Sequence, residues 1–164
     1  MRLAIAFSVT LMLLACQPAA ADEDLTDKLV GSWRVVSLKL SYVNENAEQD
    51  VLGANPIGRI VYSADRHFAS FVSRRDRKPA QTGADAAALL SSMVAYTGTF
   101  RIDGDRAIYT VDGAWNEAYP REQLRILRLD GDTLTATAPE PQPSTFFPGK
   151  QFIGVAVFVR EHAP

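Results

Sequence analysis

The chain is poor in the residues that build the commonest catalytic and metal sites. It holds 1 cysteine and 2 histidines among 164 residues. The cysteine, Cys16, precedes Asp22, so the chain from Asp22 onward has no disulfide and no cysteine chemistry. The histidines, His67 and His162, make no pair at metal-ligand spacing, and no metal is expected. There is no Gly-x-Ser-x-Gly elbow, no glycine loop to cradle phosphate and no dinucleotide fingerprint, so no cofactor is expected either. Charge is nearly balanced, 17 basic against 19 acidic residues, which gives no reason to expect nucleic acid or an anionic membrane as partner. Beyond the N-terminal region no apolar run is long enough to span a bilayer.

What is present begins with a leader. Arg2 is followed by an apolar run, Leu3 to Ala15, that is short for a membrane span. Pro18 then breaks the chain ahead of the small-residue triplet Ala19-Ala20-Ala21. This predicts a bacterial-type signal peptide over 1–21 with cleavage after Ala21, and a periplasmic or secreted protein. The alternative is a lipoprotein leader ending before Cys16, since Leu13-Leu14-Ala15-Cys16 resembles a lipidation box; a lipid anchor at Cys16 would then hold the protein in the envelope. Residues 22–164 suit a single domain, which without disulfides depends on its core for stability.

Strands dominate that domain. Gly31 opens the first one, and Trp33 places a large apolar ring with one N–H at its start, a position that makes sense only where a core closes over it. Trp33 to Val43 reads as one long strand. Asn44 to Asp50 reads as a polar loop, and Asn55-Pro56-Ile57-Gly58 as a turn. Ile60–Ser63 and His67–Ser73 form a hairpin about Ala64-Asp65-Arg66. The charge run from Arg74 to Pro79 reads as a solvated loop, with guidance of an anionic ligand as the other option. Gly83 to Val94, rich in alanine and leucine, predicts a helix whose Leu89, Leu90 and Met93 form a core-facing stripe.

From Ala95 onward a pattern repeats. Phe100-Arg101-Ile102-Asp103-Gly104-Asp105 recurs as Leu127-Arg128-Leu129-Asp130-Gly131-Asp132. Asp-Gly between alternating runs predicts type I′ hairpins, pairing Thr97–Ile102 with Ala107–Val111 and Gln123–Leu129 with Thr133–Thr137. The Asp-Gly-Asp triplets lack the further acids of a Ca²⁺ loop. Pro139, Pro141, Pro143 and Pro148 stiffen the approach to a last strand, Gln151 to Arg160. Arg160 there could stack on the Trp33 indole, so that first and last strands meet. About eight strands in sequence, joined by short turns with one helical insertion, make an all-β, antiparallel up-and-down barrel.

Leu29-Val30-Gly31-Ser32-Trp33-Arg34-Val35-Val36-Ser37-Leu38 resembles the start of the bacterial and fungal lipocalin-like domains. The likeness continues through Gly53-Ala54-Asn55-Pro56-Ile57-Gly58-Arg59-Ile60-Val61-Tyr62, Asp65-Arg66-His67-Phe68, Tyr96-Thr97-Gly98-Thr99-Phe100 and Gln123-Leu124-Arg125 before Asp130-Gly131-Asp132. It implies a calycin-type barrel in which Gly31, Trp33 and Arg160 are structural, and it implies binding of a small molecule. Arg66 stands where the family's hairpin commonly has glycine.

Alternation along the strands nominates inward-facing residues. With Leu127 and Leu129 inward, Gln123 and Arg125 share their face. An arginine inside a barrel must be paired, sit at a wet rim or hold an anion such as a carboxylate or enolate. Tyr62 shares a face with Ile60, and Tyr109 with Val111, as core tyrosines or as walls with one hydroxyl each. Trp115 and Asn116 fall where the barrel mouth should be, to line it or to cap the core. His67 is a hairpin residue or a candidate general acid/base. Three functions follow: an exported barrel that binds a small apolar or amphipathic molecule, anionic ligands included; an isomerase or cyclase acting on a carbonyl or enol, with His67 or a tyrosine moving the proton; or an envelope interaction module with a filled core. Oligomeric state is left open.

Overall fold

The computed structural model describes residues 20–43, 45, 48–144 and 149–162, with the backbone alone at 20–24. The leader up to Ala19, Cys16 included, and Pro148 lie outside the described residues. Helix α1 (Ala20–Leu29) leads into β1 (Gly31–Tyr42), β2 (Glu48–Asp50), β3 (Ile57–Tyr62) and β4 (His67–Ser73). Helix α2 (Gly83–Leu90) follows, then β5 (Met93–Asp103), β6 (Arg106–Ala114), β7 (Glu122–Asp130), β8 (Thr133–Thr137), β9 (Gln142–Pro143) and β10 (Gln151–Glu161). β1 pairs antiparallel with both β3 and β10, so β1-β3-β4-β5-β6-β7-β8-β10 is a closed, eight-stranded antiparallel barrel. β2 and β9 are short additions on β1 and β10. Among the described residues no helix is long and apolar enough to cross a membrane.

The two ends of the barrel are built differently. At one end lie the tight hairpins 63–66, 103–106 and 130–133, the start of β1 and the end of β10. Helix α1 covers this end, burying Leu29 and packing Leu25 on the core. Trp33 and Arg160 are cross-strand partners, with the guanidinium 4.1 Å from the indole centroid. Together they cap the C-terminus of α1. The Trp33 indole N–H donates to the Leu29 carbonyl at 2.7 Å, and Arg160 donates to the carbonyls of Val30, at 3.1 Å, and Lys28. A helix C-terminus needs such donors for its last carbonyls, and a cation there also suits the helix dipole. Gly31 has φ +133°, which a residue with a side chain rarely adopts, and a Cβ there would lie 3.2 Å from the Arg160 guanidinium.

The opposite end, the mouth, carries the long connections: α2 between β4 and β5, the segment 115–121, and the approach to β10 through β9. α2 begins with a capping box in which Thr82 accepts from the Asp85 N–H and Asp85 accepts from the Thr82 N–H. It ends at Leu90, short of the predicted Val94, because Val94 pairs with Val72 and is buried in the wall. The expected core-facing stripe is absent: α2 has no buried residue, Leu90 is 48% exposed, and Met93 belongs to β5.

Three local expectations are corrected by backbone geometry. The two-residue loops Gly104-Asp105 and Gly131-Asp132 have positive φ at glycine only, the pattern of a type II′ turn rather than I′. Ile57-Gly58 belongs to β3 rather than to a turn; Gly58 has φ +115°, and a Cβ there would lie 2.0 Å from the Phe71 carbonyl oxygen. The polar loop at 44–50 contributes β2, which pairs Lys39 with Asp50. Arg66 takes φ +65° in the three-residue hairpin loop, where glycine would be unstrained.

Candidate functional site

The barrel encloses a cavity of about 100 Å³. Its apolar wall comes from every side: Val35 and Leu40 from β1, Val72 from β4, Val94 from β5 and Phe158 from β10. In β1 the inward positions change phase. Val35 faces Phe158 and Ser37 faces Val157, so Val36 is an extra residue, a bulge that turns Leu38 and Leu40 inward in place of the odd-numbered positions. Asp112 is a similar extra residue in β6.

Polar groups concentrate on β3, β6 and β7. Gln123 and Arg125 line the cavity, as their alternation with Leu127 predicts, and so do Tyr62 and Tyr109. The two phenol oxygens lie 2.6 Å apart in a buried hydrogen bond. Burial pushes the pKa of both tyrosines well above the ordinary phenol value, so both hold their protons at neutral pH. Tyr119 is raised in the same way, and the positive charge of Arg125 opposes the rise at all three. Arg125 donates to the Leu124 carbonyl at 2.7 Å and to the side-chain oxygen of Gln123. Gln123 also accepts from Tyr119 at 3.4 Å and donates to the Pro120 carbonyl at 3.4 Å.

Aromatic rings run from the closed end to the mouth. Tyr62 meets Phe100 edge-on at 5.0 Å, Phe68 meets Tyr109 at 5.0 Å, and Tyr96 packs against Tyr119 at 4.9 Å. Trp115 completes the series, 4.8 Å from Tyr119. It is half-buried and does not line the cavity, and its N–H donates to the Leu90 carbonyl at 3.1 Å, tying α2 to the segment 115–121. Asn116 does not line the cavity either. Its side-chain oxygen accepts from the Ala118 N–H and its carbonyl from the Tyr119 N–H, so it shapes the turn that presents Tyr119. His67 projects outside the barrel, 61% exposed, with Nδ1 3.3 Å from Asp65. It is remote from the cavity lining, and the proton-transfer role considered for it has no substrate side to act on.

Sequence reasoning missed Tyr96, Ser70 and Tyr119 in the lining. Ser70 carried a signal, since it alternates with Phe68 and Val72 in β4. Tyr119 sits in a loop, where no periodicity marks it.

A second, outer groove of about 570 Å³ lies between the charge run and α2. Of its cations, Arg74 pairs with Asp76 at 2.9 Å, and Arg77 donates to the Leu89 carbonyl at 3.2 Å while its buried Nε has no partner among the described residues. Arg75 likewise donates to the Asn55 carbonyl at 3.0 Å. The groove is lined mostly by exposed residues, whereas the barrel interior is walled mostly by buried and half-buried ones, so the interior is the better candidate.

A family model described as a lipocalin-like domain matches residues 30–160, nearly the whole of the barrel. No curated protein matches the chain.

Proposed function

The chain belongs to the lipocalin-like domain family, and from that premise we propose that it is an exported protein that captures a small amphipathic molecule inside its barrel. The observation that carries this reading is the lining: aliphatic walls with a cluster of phenol, amide and guanidinium groups on one side. An apolar cavity of about 150 Å³ accommodates benzene, so about 100 Å³ takes a ligand whose enclosed part has only a few heavy atoms. Binding is favoured over turnover because the described lining residues include no histidine and no carboxylate to act as base, and the tyrosines are held protonated.

Export is supported by the apolar run Leu3–Ala15 and the alanine triplet 19–21. Cleavage after Ala21 gives a soluble periplasmic or secreted form; lipidation at Cys16 gives an anchored one. Cell fractionation with intact-mass measurement separates these, and an uncleaved cytoplasmic chain would refute both.

Native mass spectrometry of the purified protein, with ¹⁹F NMR of the small neutral probe 3,3,3-trifluoropropan-1-ol, tests the binding itself. The expected result is a low-mass ligand or one bound probe, lost in Ala156→Phe, which fills the cavity. A folded protein that retains neither ligand nor probe would overturn the proposal.

A further inference from the structure

We propose that the barrel is selective for a small monocarboxylate, held by Arg125 as counter-ion with the Tyr62–Tyr109 pair as its second donor. This rests on the binding reading above. Arg125 is the single charged residue among the described lining residues, and no described carboxylate lies within ion-pair distance of it. Its partners, the Leu124 carbonyl and the Gln123 amide oxygen, are neutral. They satisfy two of its N–H groups without cancelling its charge. A cation facing a largely apolar cavity with no opposite charge is costly, and the cost falls when a ligand supplies that charge.

The other polar groups fit the same ligand. Two phenols own two protons, and their shared hydrogen bond consumes one of them. The remaining O–H has no acceptor among the described residues. The Gln123 side-chain oxygen is already committed to Arg125 and Tyr119. Ser70, Tyr96 and Gln142 also line the cavity and each can donate as well as accept, so the selective feature is the one formal positive charge with donors beside it, which suits an anionic ligand end. An ionised carboxylate meets that need and matches the planar fork of a guanidinium; an ammonium or an amide N–H₂ does not. One cation also suits one negative charge, so a phosphate dianion is disfavoured.

Butyrate and isobutyrate, titrated against the bound neutral probe, are compared with their isosteres 1-butanol, butylamine and isobutyramide. The acids are expected to bind at least tenfold tighter than each isostere, an advantage that shrinks at high salt. In Arg125→Met, its fold verified by circular dichroism, acids and isosteres measured on that same variant should differ by less than twofold, and Arg125→Lys should retain part of the advantage. Equal affinity for acids and isosteres overturns the proposal while leaving barrel binding standing. An unchanged preference in Arg125→Met overturns the role of Arg125. If the probe does not bind the wild type, both the binding reading and this inference fall.

Discussion

The two ends of the barrel divide the work of the molecule. At the closed end, hairpin loops of two or three residues, a covering helix and the Trp33–Arg160 pair leave little freedom, and the contacts are made between residues about 130 positions apart in the chain. At the mouth, the connections are longer and more exposed, α2 buries no side chain, and a single indole hydrogen bond ties it to the segment 115–121. Stability should therefore respond to changes at the first end, and ligand access to changes at the second.

The sharpest break of this comparison pairs the two tryptophans. Trp33→Ala removes a fully buried ring and the partner of the Leu29 carbonyl, and is expected to cost about 3–5 kcal/mol in urea unfolding. Trp115→Ala removes a half-buried ring and should cost roughly a third as much, while changing probe exchange rates. Equal costs would dissolve the distinction between the ends. Next in size, Arg160→Met keeps much of the stem but loses the stacking and the two carbonyl contacts; a loss of about 1–3 kcal/mol is expected, with fraying of α1 visible by amide exchange.

Between the ends, the tyrosine pair sets an alkaline limit. An unfolded chain releases phenolic protons near 10.0, whereas folded Tyr62 and Tyr109 hold theirs to higher pH. Above that value proton release favours the unfolded state. Stability should be flat with respect to these groups below pH 10 and should fall above it, by on the order of 1 kcal/mol per phenol per pH unit. Tyr62→Phe with Tyr109→Phe should flatten the fall, and the pair should cost less than the sum of the single variants because neither phenol is left without its partner. The smallest effect has the opposite sign. Arg66→Gly relieves a left-handed residue in a closed-end hairpin and is expected to stabilise by about 0.5–1 kcal/mol, read as a raised urea midpoint.

The closed end was the more legible part of the sequence. Its hairpins are written in short-range Asp-Gly signals, and Trp33 and Arg160 stand at the ends of strands whose apolar content is plain. The turn type differs from the expected one because an Asp-Gly dipeptide suits type I′ when both residues are central, whereas here the strands pair through the aspartate. Helix α1 was missed because its apolar face is small, Leu25 and Leu29, and its C-terminal cap comes from the far end of the chain. Gly58 reads as turn punctuation beside Pro56; only the approach of the Phe71 backbone shows why a strand needs it. In the cavity, β3, β7 and β6 as far as its bulge at Asp112 obey simple alternation, so Tyr62, Tyr109, Gln123 and Arg125 fall on the inner face as expected. The bulge at Val36 breaks alternation in β1 without a local mark, and loop residues such as Tyr119 have no period to betray them.

The central claim is that the interior of the barrel, rather than the larger groove beside α2, receives the ligand. Amide chemical shifts followed during a butyrate titration test it directly. The account predicts that shifts gather at Tyr96, Tyr109, Gln123 and Arg125, leaving Trp33 and the segment 74–92 nearly unchanged. Shifts concentrated at Arg74, Arg77 and α2, with the barrel lining silent, would contradict it.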